Sequence, residues 1–322
     1  MRRFAGLLTL VLFSCLAASV RAEPVTAPIK LFNGRDLTNF YTYLVKYGKN
    51  NDPEKVFTVE QETVLVPAGR RLLRGRPRYQ AVTQGMIRVS GKVFGCFTTE
   101  KEYENYHLVV EFKWGDETWA PREKATMDSG ILLHCVGADG AAGPWMESIE
   151  CQMIEGGTGD FILVRGKGQP KLTVTAEQRA GQWYYKPGAP AKEFSGGRIN
   201  WSARDPDWKD IKGFRGKHDL ENPIGQWNTL ECICDSGKIT NILNGRVVNA
   251  GTNASHTKGK ILFQSEGAEV FFRRIDLLPL SRSRLSTQRL SEKGTGPLDS
   301  RRKSLFHGAN PRVLSPFRTA SQ

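Results

Sequence analysis

Apolar and polar residues alternate along several short segments of the chain. Every second position is apolar in four segments, at residues 106–114, 129–135, 148–154 and 228–234. In the last of these, Leu230, Cys232 and Cys234 share one side of an extended chain. Because successive side chains of a β-strand point to opposite faces, this period of two predicts strands with one buried face.

Turn residues separate these segments and support the same interpretation. An Asn-Gly pair at 244–245 lies between strand-like segments 238–243 and 246–248, which predicts a two-residue hairpin. Further strands are predicted at 260–264 and 269–278. Many short strands separated by glycine and proline are typical of an all-β sandwich or barrel.

Two segments do not follow the strand pattern. Residues 176–182 are predicted as a short helix or a turn, and no segment keeps a helical period for more than two or three turns. Residues 186–226 are polar and rich in turn residues, so one long polar loop is predicted there. Loops of this length inside a compact domain are uncommon and often functional.

The net charge of +13 lies mainly at the two ends of the chain of 322 residues. Residues 1–22 contain three basic residues and no acidic ones, whereas residues 281–322 contain nine basic and two acidic ones. Residues 23–280 therefore carry a net charge of only +3. A pI near 9.5 is typical of proteins that bind nucleic acid. The small net charge of residues 23–280 argues against such a partner for the central domain.

The N-terminal segment has the features of an export signal. Arg2 and Arg3 precede an apolar run at 7–18, and small residues lead to a predicted cleavage after Ala22. The expected location is therefore periplasmic or extracellular. The run is short for a membrane anchor, and Phe13 disfavours a lipoprotein signal at Cys15. No other segment is apolar enough to cross a membrane.

The C-terminal residues 281–322 are rich in Ser, Arg, Thr and Gln, and they are predicted to be a disordered tail. Their simplest interpretation is a solvated end of the chain. The alternative is that this basic tail contacts an anionic cell surface. The predicted boundaries are thus a signal peptide at 1–22, a single all-β domain at 23–280 and the tail at 281–322.

Five cysteines follow the predicted cleavage site. Their spacing contains no Cys-x-x-Cys pair, so neither a zinc knuckle nor a thioredoxin-like motif is predicted. An oxidising compartment allows one or two disulfides, but buried free thiols are the preferred interpretation. The five are Cys96, Cys135, Cys151, Cys232 and Cys234.

An ordered series of motifs resembles a known family. These motifs lie at residues 31–37, 98–106, 128–132, 150–154, 225–228, 243–245, 259–267 and 270–275. Over about residues 29–280 the chain is similar to the 3-keto-disaccharide hydrolase domain family. The resemblance implies a concanavalin A-like jelly-roll sandwich of two antiparallel sheets with a sugar-binding face. It also implies cleavage of glycosides whose ring carries a 3-ketone. The chain departs from the family pattern at Asp128, His134 and Glu266.

Alternation predicts which side chains share the sugar-binding face. On strand 148–154, Glu150 and Gln152 lie opposite the apolar positions, and His134 takes the equivalent place on strand 128–135. Glu150 and His134 are the predicted catalytic residues, as base and as acid or metal ligand. Gln152 and Gln264 suit sugar hydroxyls.

Asp128 and Glu266 could complete a divalent-metal site with the two predicted catalytic residues, since carboxylates and imidazole suit such ions. No short metal-binding motif supports the metal, however. Aromatic and basic side chains complete the predicted substrate site: Trp145, Trp208 and Arg215.

The sequence supports other functional classes to different degrees. A conventional glycosidase needs two carboxylates flanking the bond, and the strand with Ser148, Glu150 and Gln152 supplies one. A non-catalytic carbohydrate-binding module remains an alternative because several tryptophans could stack on sugars. A serine hydrolase lacks its Gly-x-Ser-x-Gly elbow, and the glycines at 156–159 do not form a nucleotide fingerprint.

Overall fold

The computed structural model describes residues 22–68 and 79–280, and these form strands and connecting loops without a helix. The strands, numbered in chain order, are β1 (Glu23–Pro24), β2 (Ile29–Lys30), β3 (Phe40–Leu44), β4 (Gly48–Lys49), β5 (Phe57–Pro67), β6 (Tyr79–Val89), β7 (Gly95–Thr99), β8 (Tyr103–Glu104), β9 (Tyr106–Thr118), β10 (Asp128–Val136), β11 (Glu147–Ile154), β12 (Phe161–Val164), β13 (Leu172–Arg179), β14 (Gln182–Tyr185), β15 (Ala191–Phe194), β16 (Gly197–Asn200), β17 (Asn228–Asp235), β18 (Lys238–Leu243), β19 (Arg246–Thr252), β20 (Lys258–Ser265) and β21 (Ala268–Pro279).

Two large sheets contain most of these strands. The first sheet has the order β5–β6–β21–β9–β17–β18–β19–β13–β15, and all its neighbours are antiparallel. The second sheet has the order β4–β3–β7–β20–β10–β11–β12–β16–β14 and is antiparallel except for β14 and β16. This is the predicted concanavalin A-like jelly-roll sandwich.

Strand β13 belongs to both sheets. Its first half pairs with β15 and β19, whereas its second half, from Ala176 to Arg179, pairs with β14. The prediction of a short helix or turn at 176–182 is therefore wrong for most of that segment. A strand that changes sheets can carry a mixed pattern, because its two halves bury different faces.

The inner faces of the two sheets pack together as one aromatic and aliphatic core. Phe97 and Phe263 from the second sheet stack with their ring centroids 4.7 Å apart, and Phe272 of the first sheet meets both edge to face. All three side chains are fully buried. Burying a side chain of this size contributes about 1.5–3 kcal/mol. The apolar positions of the alternating pattern therefore stabilise the sandwich by packing between its two sheets.

The outer face of the second sheet carries a smaller apolar cluster. Leu132 and Leu262 form its centre, because they are paired across β10 and β20, and Cys96 and Met146 pack beside them. This cluster covers part of the sheet. It leaves the polar side chains of the neighbouring positions as the floor of a cavity.

A β-bulge interrupts strand β10 at His134. The pairing shifts between Leu133 and Val136, and His134 adopts a left-handed φ of 56°. Gly259 of β20 lies against this bulge, where a Cβ atom would come within 2.5 Å of the Cys135 carbonyl oxygen. Two successive residues then oppose a single position of the partner strand, so the alternation of faces inverts beyond Leu133.

The segment predicted as one long polar loop is only partly irregular. Strands β15 and β16 lie within residues 186–226, and the irregular part runs from Trp201 to Trp227. Each of these strands has only four residues, which is too short to show an apolar periodicity. The loop prediction is therefore wrong for 191–194 and 197–200.

The cysteines behave as the sequence predicts. All five in the described residues are buried and free, with Cys151 and Cys232 on the inner faces of opposite sheets. The predicted signal peptide lies outside the described residues except for Ala22, and so does the whole tail at 281–322. Within the described residues, no helix is long and apolar enough to cross a membrane.

Candidate functional site

A cavity of about 380 Å³ opens on the outer face of the second sheet. Six of the predicted site residues line it, because β10, β11 and β20 are neighbours and present their polar positions on the same side. The lining consists of Asp128, Ala142, Trp145, Glu150, Gln152, Ile162, Val164, Arg165, Arg198, Gln264 and Glu266.

A larger groove of about 990 Å³ lies on the first sheet. Four of its charged side chains form ion pairs with one another: Arg273 with Glu111 at 2.5 Å, and Arg274 with Asp276 at 2.7 Å. Such pairs on a partly exposed face are ordinary surface chemistry. The smaller cavity, with its convergent buried carboxyls, is therefore the candidate site.

Glu150 and Gln264 meet above a glycine at the centre of the cavity floor. A Cβ atom on Gly130 would lie 2.1 Å from Glu150 Oε1 and 2.3 Å from Gln264 Oε1. Glu150 is 3% exposed and Gln264 is 1% exposed, and neither Oε1 atom has a hydrogen-bond partner among the described residues. The absence of a side chain at Gly130 thus creates a notch in which two unpartnered oxygens face the same space.

Asp128 and Gln152 form a second polar pair beside this notch. Gln152 Nε2 donates to Asp128 Oδ1 at 2.7 Å, and Arg122 Nη2 lies 3.1 Å from Asp128 Oδ2. Both oxygens of Asp128 are thereby engaged, whereas the carbonyl oxygen of Gln152 is left for a ligand. Arg122 comes from the loop before β10, and Asp210 of the irregular segment also pairs with it at 2.9 Å.

Burial shifts the carboxyl groups of the cavity toward their neutral forms. Burial, together with the charge of Asp128, raises the pKa of Glu150 to about 8. Burial and the charge of Glu150 raise the pKa of Glu266 to about 8 as well. The pKa of Asp128 is also raised by burial and by Glu266. These groups titrate as a cluster, so the cavity can release and accept a proton near neutral pH.

Two arginines that the sequence analysis did not predict also line the cavity. Arg198 on β16 is paired with Ile162, which is itself paired with Glu150 on the next strand. Arg198 opposes the rise in the pKa of Glu150. Arg165 follows β12, and its Nε donates to the Ser195 carbonyl at 2.9 Å. Arg198 was missed because the β16 strand was predicted as loop.

His134 does not line the cavity, so the prediction that its side chain lies beside Glu150 in the site is wrong. The bulge turns it to the inner side of the sheet, where it is 2% exposed and lies against the Tyr106 ring at 5.4 Å. Its Nδ1 donates to the His256 carbonyl at 2.9 Å. Burial lowers the pKa of His134 to about 4, so its ring is neutral and serves the core.

Trp208 and Arg215 are also absent from the cavity wall, although both were predicted to bind substrate. Trp208 donates through Nε1 to the Glu155 carbonyl at 2.8 Å. Arg215 pairs with Asp219 and donates to the Asn222 carbonyl at 3.1 Å. Both side chains hold the irregular segment together.

Trp145 does line the cavity, but it is not an open stacking platform. It is 8% exposed, and its ring stacks on Phe94 with centroids 6.3 Å apart. A sugar could touch its edge. The indole face that stacking would need is already used within the outer apolar cluster.

The residues do not fit the predicted divalent-metal site. His134 lies on the other side of the sheet, and the oxygens of Asp128 are taken by Gln152 and Arg122. Among the residues the structure describes, no three His, Cys, Asp or Glu side chains are close enough to hold a metal ion. Arginines and protons compensate the carboxyl charges instead.

The family assignment follows from the comparison with known proteins. The model of the 3-keto-alpha-glucoside-1,2-lyase-like domain matches residues 27–278. The chain belongs to this family. Membership confirms the resemblance seen in the sequence motifs, and it makes the protein a carbohydrate-active, hydrolase-like jelly-roll protein.

Solved structures with similar folds are distant. A candidate glycosyl hydrolase from Parabacteroides distasonis ATCC 8503 is 18% identical, covering 79% of this chain and 94% of its own, with a TM-score of 0.42. The carbohydrate-binding module CBM66 from Bacillus subtilis is 8% identical, covering 69% and 94%, with a TM-score of 0.34. The Bacillus licheniformis beta-glucanase is 11% identical, covering 61% and 79%, with a TM-score of 0.31. No curated protein matches the chain. These similarities are too distant to assign an activity.

Proposed function

We propose that this protein is an exported enzyme that cleaves 3-keto-glycosides by removing the C2 proton and expelling the substituent at C1. The observation that carries the proposal is Glu150, a buried carboxyl with a pKa near 8 and an unpartnered oxygen in the cavity. Family membership supports the substrate class. Export rests on the sequence of residues 1–22 alone.

The ketone makes the reaction accessible to a carboxylate. A carbonyl at C3 acidifies the C–H bond at C2, and the Glu150 carboxylate takes this proton. The electrons of the C–H bond form the C2–C3 double bond of an enolate, and negative charge develops on the C3 oxygen. A base with a pKa close to the working pH combines an adequate ionised fraction with proton affinity.

The arginines supply the electrostatic part of the mechanism. The enolate oxygen needs a cation or hydrogen-bond donors already in place, because preorganised charge stabilises the transition state more than the ground state. Arg198 is the candidate for this role, since it lines the cavity and its charge opposes the rise in the pKa of Glu150 and of Glu266. Gln152 and Gln264 remain assigned to the sugar hydroxyls, as the sequence predicts.

The second half of the reaction breaks the bond from C1 to the leaving oxygen. The enolate electrons return to form the C3 carbonyl and a C1–C2 double bond, and the C1–O bond electrons leave with the departing oxygen. Glu266 donates a proton to that oxygen, because its raised pKa keeps it protonated near neutrality. Addition of water across C1 and C2 afterwards gives net hydrolysis.

A conventional glycosidase is the second candidate. Its chemistry needs two carboxyl groups near the glycosidic bond. The single carboxylate among Ser148, Glu150 and Gln152 argued against this class, but the cavity brings Glu150 together with Asp128 of β10 and with Glu266, which follows β20. Substrate preference separates the two enzymes, because a glycosidase does not require the ketone.

The test uses a 3-keto-disaccharide and its unoxidised parent with the purified protein. Cleavage of the keto sugar alone supports the proposal, and equal cleavage of the parent supports the glycosidase. Binding of either sugar without turnover supports a carbohydrate-binding module. Glu147→Gln is the matched control for Glu150→Gln, because Glu147 lies on the same strand but pairs with His256 outside the cavity.

The cellular location is tested separately. Expression of the full chain, followed by mass analysis of the exported product, should show an N-terminus at Glu23. Export without cleavage would contradict the predicted signal peptide. Retention at an anionic surface should be lost on deletion of residues 281–322 if the tail is an anchor, and unchanged retention would contradict that alternative.

A further inference from the structure

Asp160 is a fully buried carboxylate immediately behind the cavity. It ends the turn between β11 and β12, and its exposed fraction is 0%. Its Oδ1 accepts a hydrogen bond from the Trp201 backbone N–H at 2.7 Å. Its Oδ2 accepts from Arg198 Nη1 at 3.1 Å and also from Arg204. A buried carboxylate requires such partners, because an unpaired charge in the interior is costly.

Asp160 connects the cavity to the irregular segment that follows β16. Arg204 is 4% exposed, and its guanidinium lies 4.2 Å from the centroid of the Trp208 ring. Trp208 is fixed in turn by its hydrogen bond to the Glu155 carbonyl. Asp160 thus contacts the buried Arg204 on one side and Arg198, which lines the cavity, on the other.

The charges of Asp160 and its two arginine partners sum to a positive excess. One carboxylate, Asp160, faces two guanidinium groups, Arg198 and Arg204. Arg198 is one-third exposed, so it is the cation of the pair that a ligand can approach. A long arginine side chain without an anchor would sample many rotamers, whereas an anchored guanidinium is ready for an anion.

We propose that Asp160 is a positioning residue, which holds the guanidinium of Arg198 in the cavity where negative charge develops during the reaction. This inference rests on the proposed function for the identity of the reacting oxygen. The anchoring itself does not depend on the substrate. Preorganisation of this kind lowers the barrier because the cation need not reorient when charge appears.

A double-mutant cycle tests the coupling. Asp160→Asn should lower kcat on the 3-keto-disaccharide about tenfold or more and leave KM nearly unchanged, because the interaction strengthens in the transition state. Arg198→Gln should lower kcat at least as much. The double variant should be no slower than Arg198→Gln alone, since Asp160 acts through Arg198. Additive losses would overturn the proposal.

A spectroscopic measurement tests the anchoring without any substrate. The Nη–H protons of an anchored arginine exchange slowly and give resolved signals in an arginine ¹H–¹⁵N spectrum, and Arg198→Gln assigns those of Arg198. These signals should be lost in Asp160→Asn. The control is Glu221→Gln, which removes another buried carboxyl, one that accepts from Trp114 Nε1 at 2.8 Å outside the cavity. It should leave the Arg198 signals in place.

The two measurements separate failure of this inference from failure of the proposed function. Signals of Arg198 that are unchanged in Asp160→Asn overturn the anchoring, whatever sugar the protein acts on. Absence of keto-sugar cleavage in the wild type overturns the proposed function and leaves the spectroscopic result to decide the anchoring.

Arg198→Lys tests the same contact if Asp160→Asn does not fold. Lysine keeps the charge but lacks the two-ended guanidinium that contacts Asp160 and lines the cavity at once. A kcat reduced to the level of Arg198→Gln is the expected result. A kcat equal to that of the wild type overturns the proposal.

Discussion

Glu150 and Gln264 direct their Oε1 atoms into the same notch above Gly130, each within 2.3 Å of the place where a Cβ atom would lie. Two hydrogen-bond acceptors that share a buried space favour a proton between them. Burial and the charge of Asp128 raise the pKa of Glu150 to about 8, so the notch holds a group that can exchange a proton near neutral pH.

Removal of the proposed base should abolish most of the turnover. Glu150→Gln retains the shape of the side chain but cannot accept a proton, so kcat on a 3-keto-disaccharide should fall about 10²–10⁴-fold. Steady-state kinetics measure this loss, with Glu147→Gln as the control. A decrease of less than about threefold, with normal folding, would show that Glu150 is not the base.

The notch itself should be sensitive to a single methyl group. Gly130→Ala places a Cβ atom 2.1 Å from Glu150 Oε1 and 2.3 Å from Gln264 Oε1, so both side chains must move. Overpacking of this kind costs about 1–3 kcal/mol of unfolding free energy. The melting temperature and kcat should both decrease. A variant with the wild-type melting temperature and kcat would contradict the described notch.

The contribution of Glu150 to stability should fall as the pH rises from about 4.5 to about 8. Burial raises the pKa of Glu150 from 4.5 to about 8, so over this interval the folded state holds a proton that the unfolded state has released. The contribution of Glu150 to the unfolding free energy therefore decreases with increasing pH. Glu150→Gln should reduce this slope in a series of thermal melts, and an unchanged slope would contradict the raised pKa.

His134 should matter for folding and not for turnover. His134→Asn retains a residue type that accepts the left-handed φ of 56°, but it loses the ring packed on Tyr106. A lower melting temperature with a kcat close to that of the wild type is expected. A loss of kcat comparable to that of Glu150→Gln would restore the catalytic role that the alternation pattern suggested.

Chelation should leave turnover unchanged. Gln152 and Arg122 already occupy both oxygens of Asp128, so this carboxylate is not available as a ligand. Activity is compared before and after dialysis against a chelator, with and without added Mg²⁺, Ca²⁺ or Mn²⁺. Loss on dialysis and recovery with one ion would contradict this expectation.

The sequence predicts much of the fold because the period of two is preserved wherever a strand buries one face. Glu150 and Gln152 were placed correctly for this reason, since the alternate positions Ile149, Cys151 and Met153 of β11 are all apolar and buried. His134 was placed wrongly because one extra residue in β10 inverts the faces. A bulge depends on contacts such as Gly259 against the chain, and these are not visible in a linear pattern.

The cationic part of the site was missed for a different reason. Arg198 lies on a strand of four residues, which is too short to show a period. Asp160 lies in a turn, and its partners Arg198, Trp201 and Arg204 are separated from it by about 40 positions. Such networks form through tertiary packing, so the residues that charge the cavity can be found only in the structure.

The most direct test of the central claim follows the C2 hydrogen of the substrate. A 3-keto-disaccharide deuterated at C2 is incubated with the purified protein, and cleavage is compared with that of the undeuterated sugar and of the unoxidised parent. The account predicts cleavage of the keto sugar only, with loss of the C2 deuterium from the product and slower turnover of the labelled substrate. Cleavage of the parent at a similar rate, with the C2 deuterium retained, would contradict it.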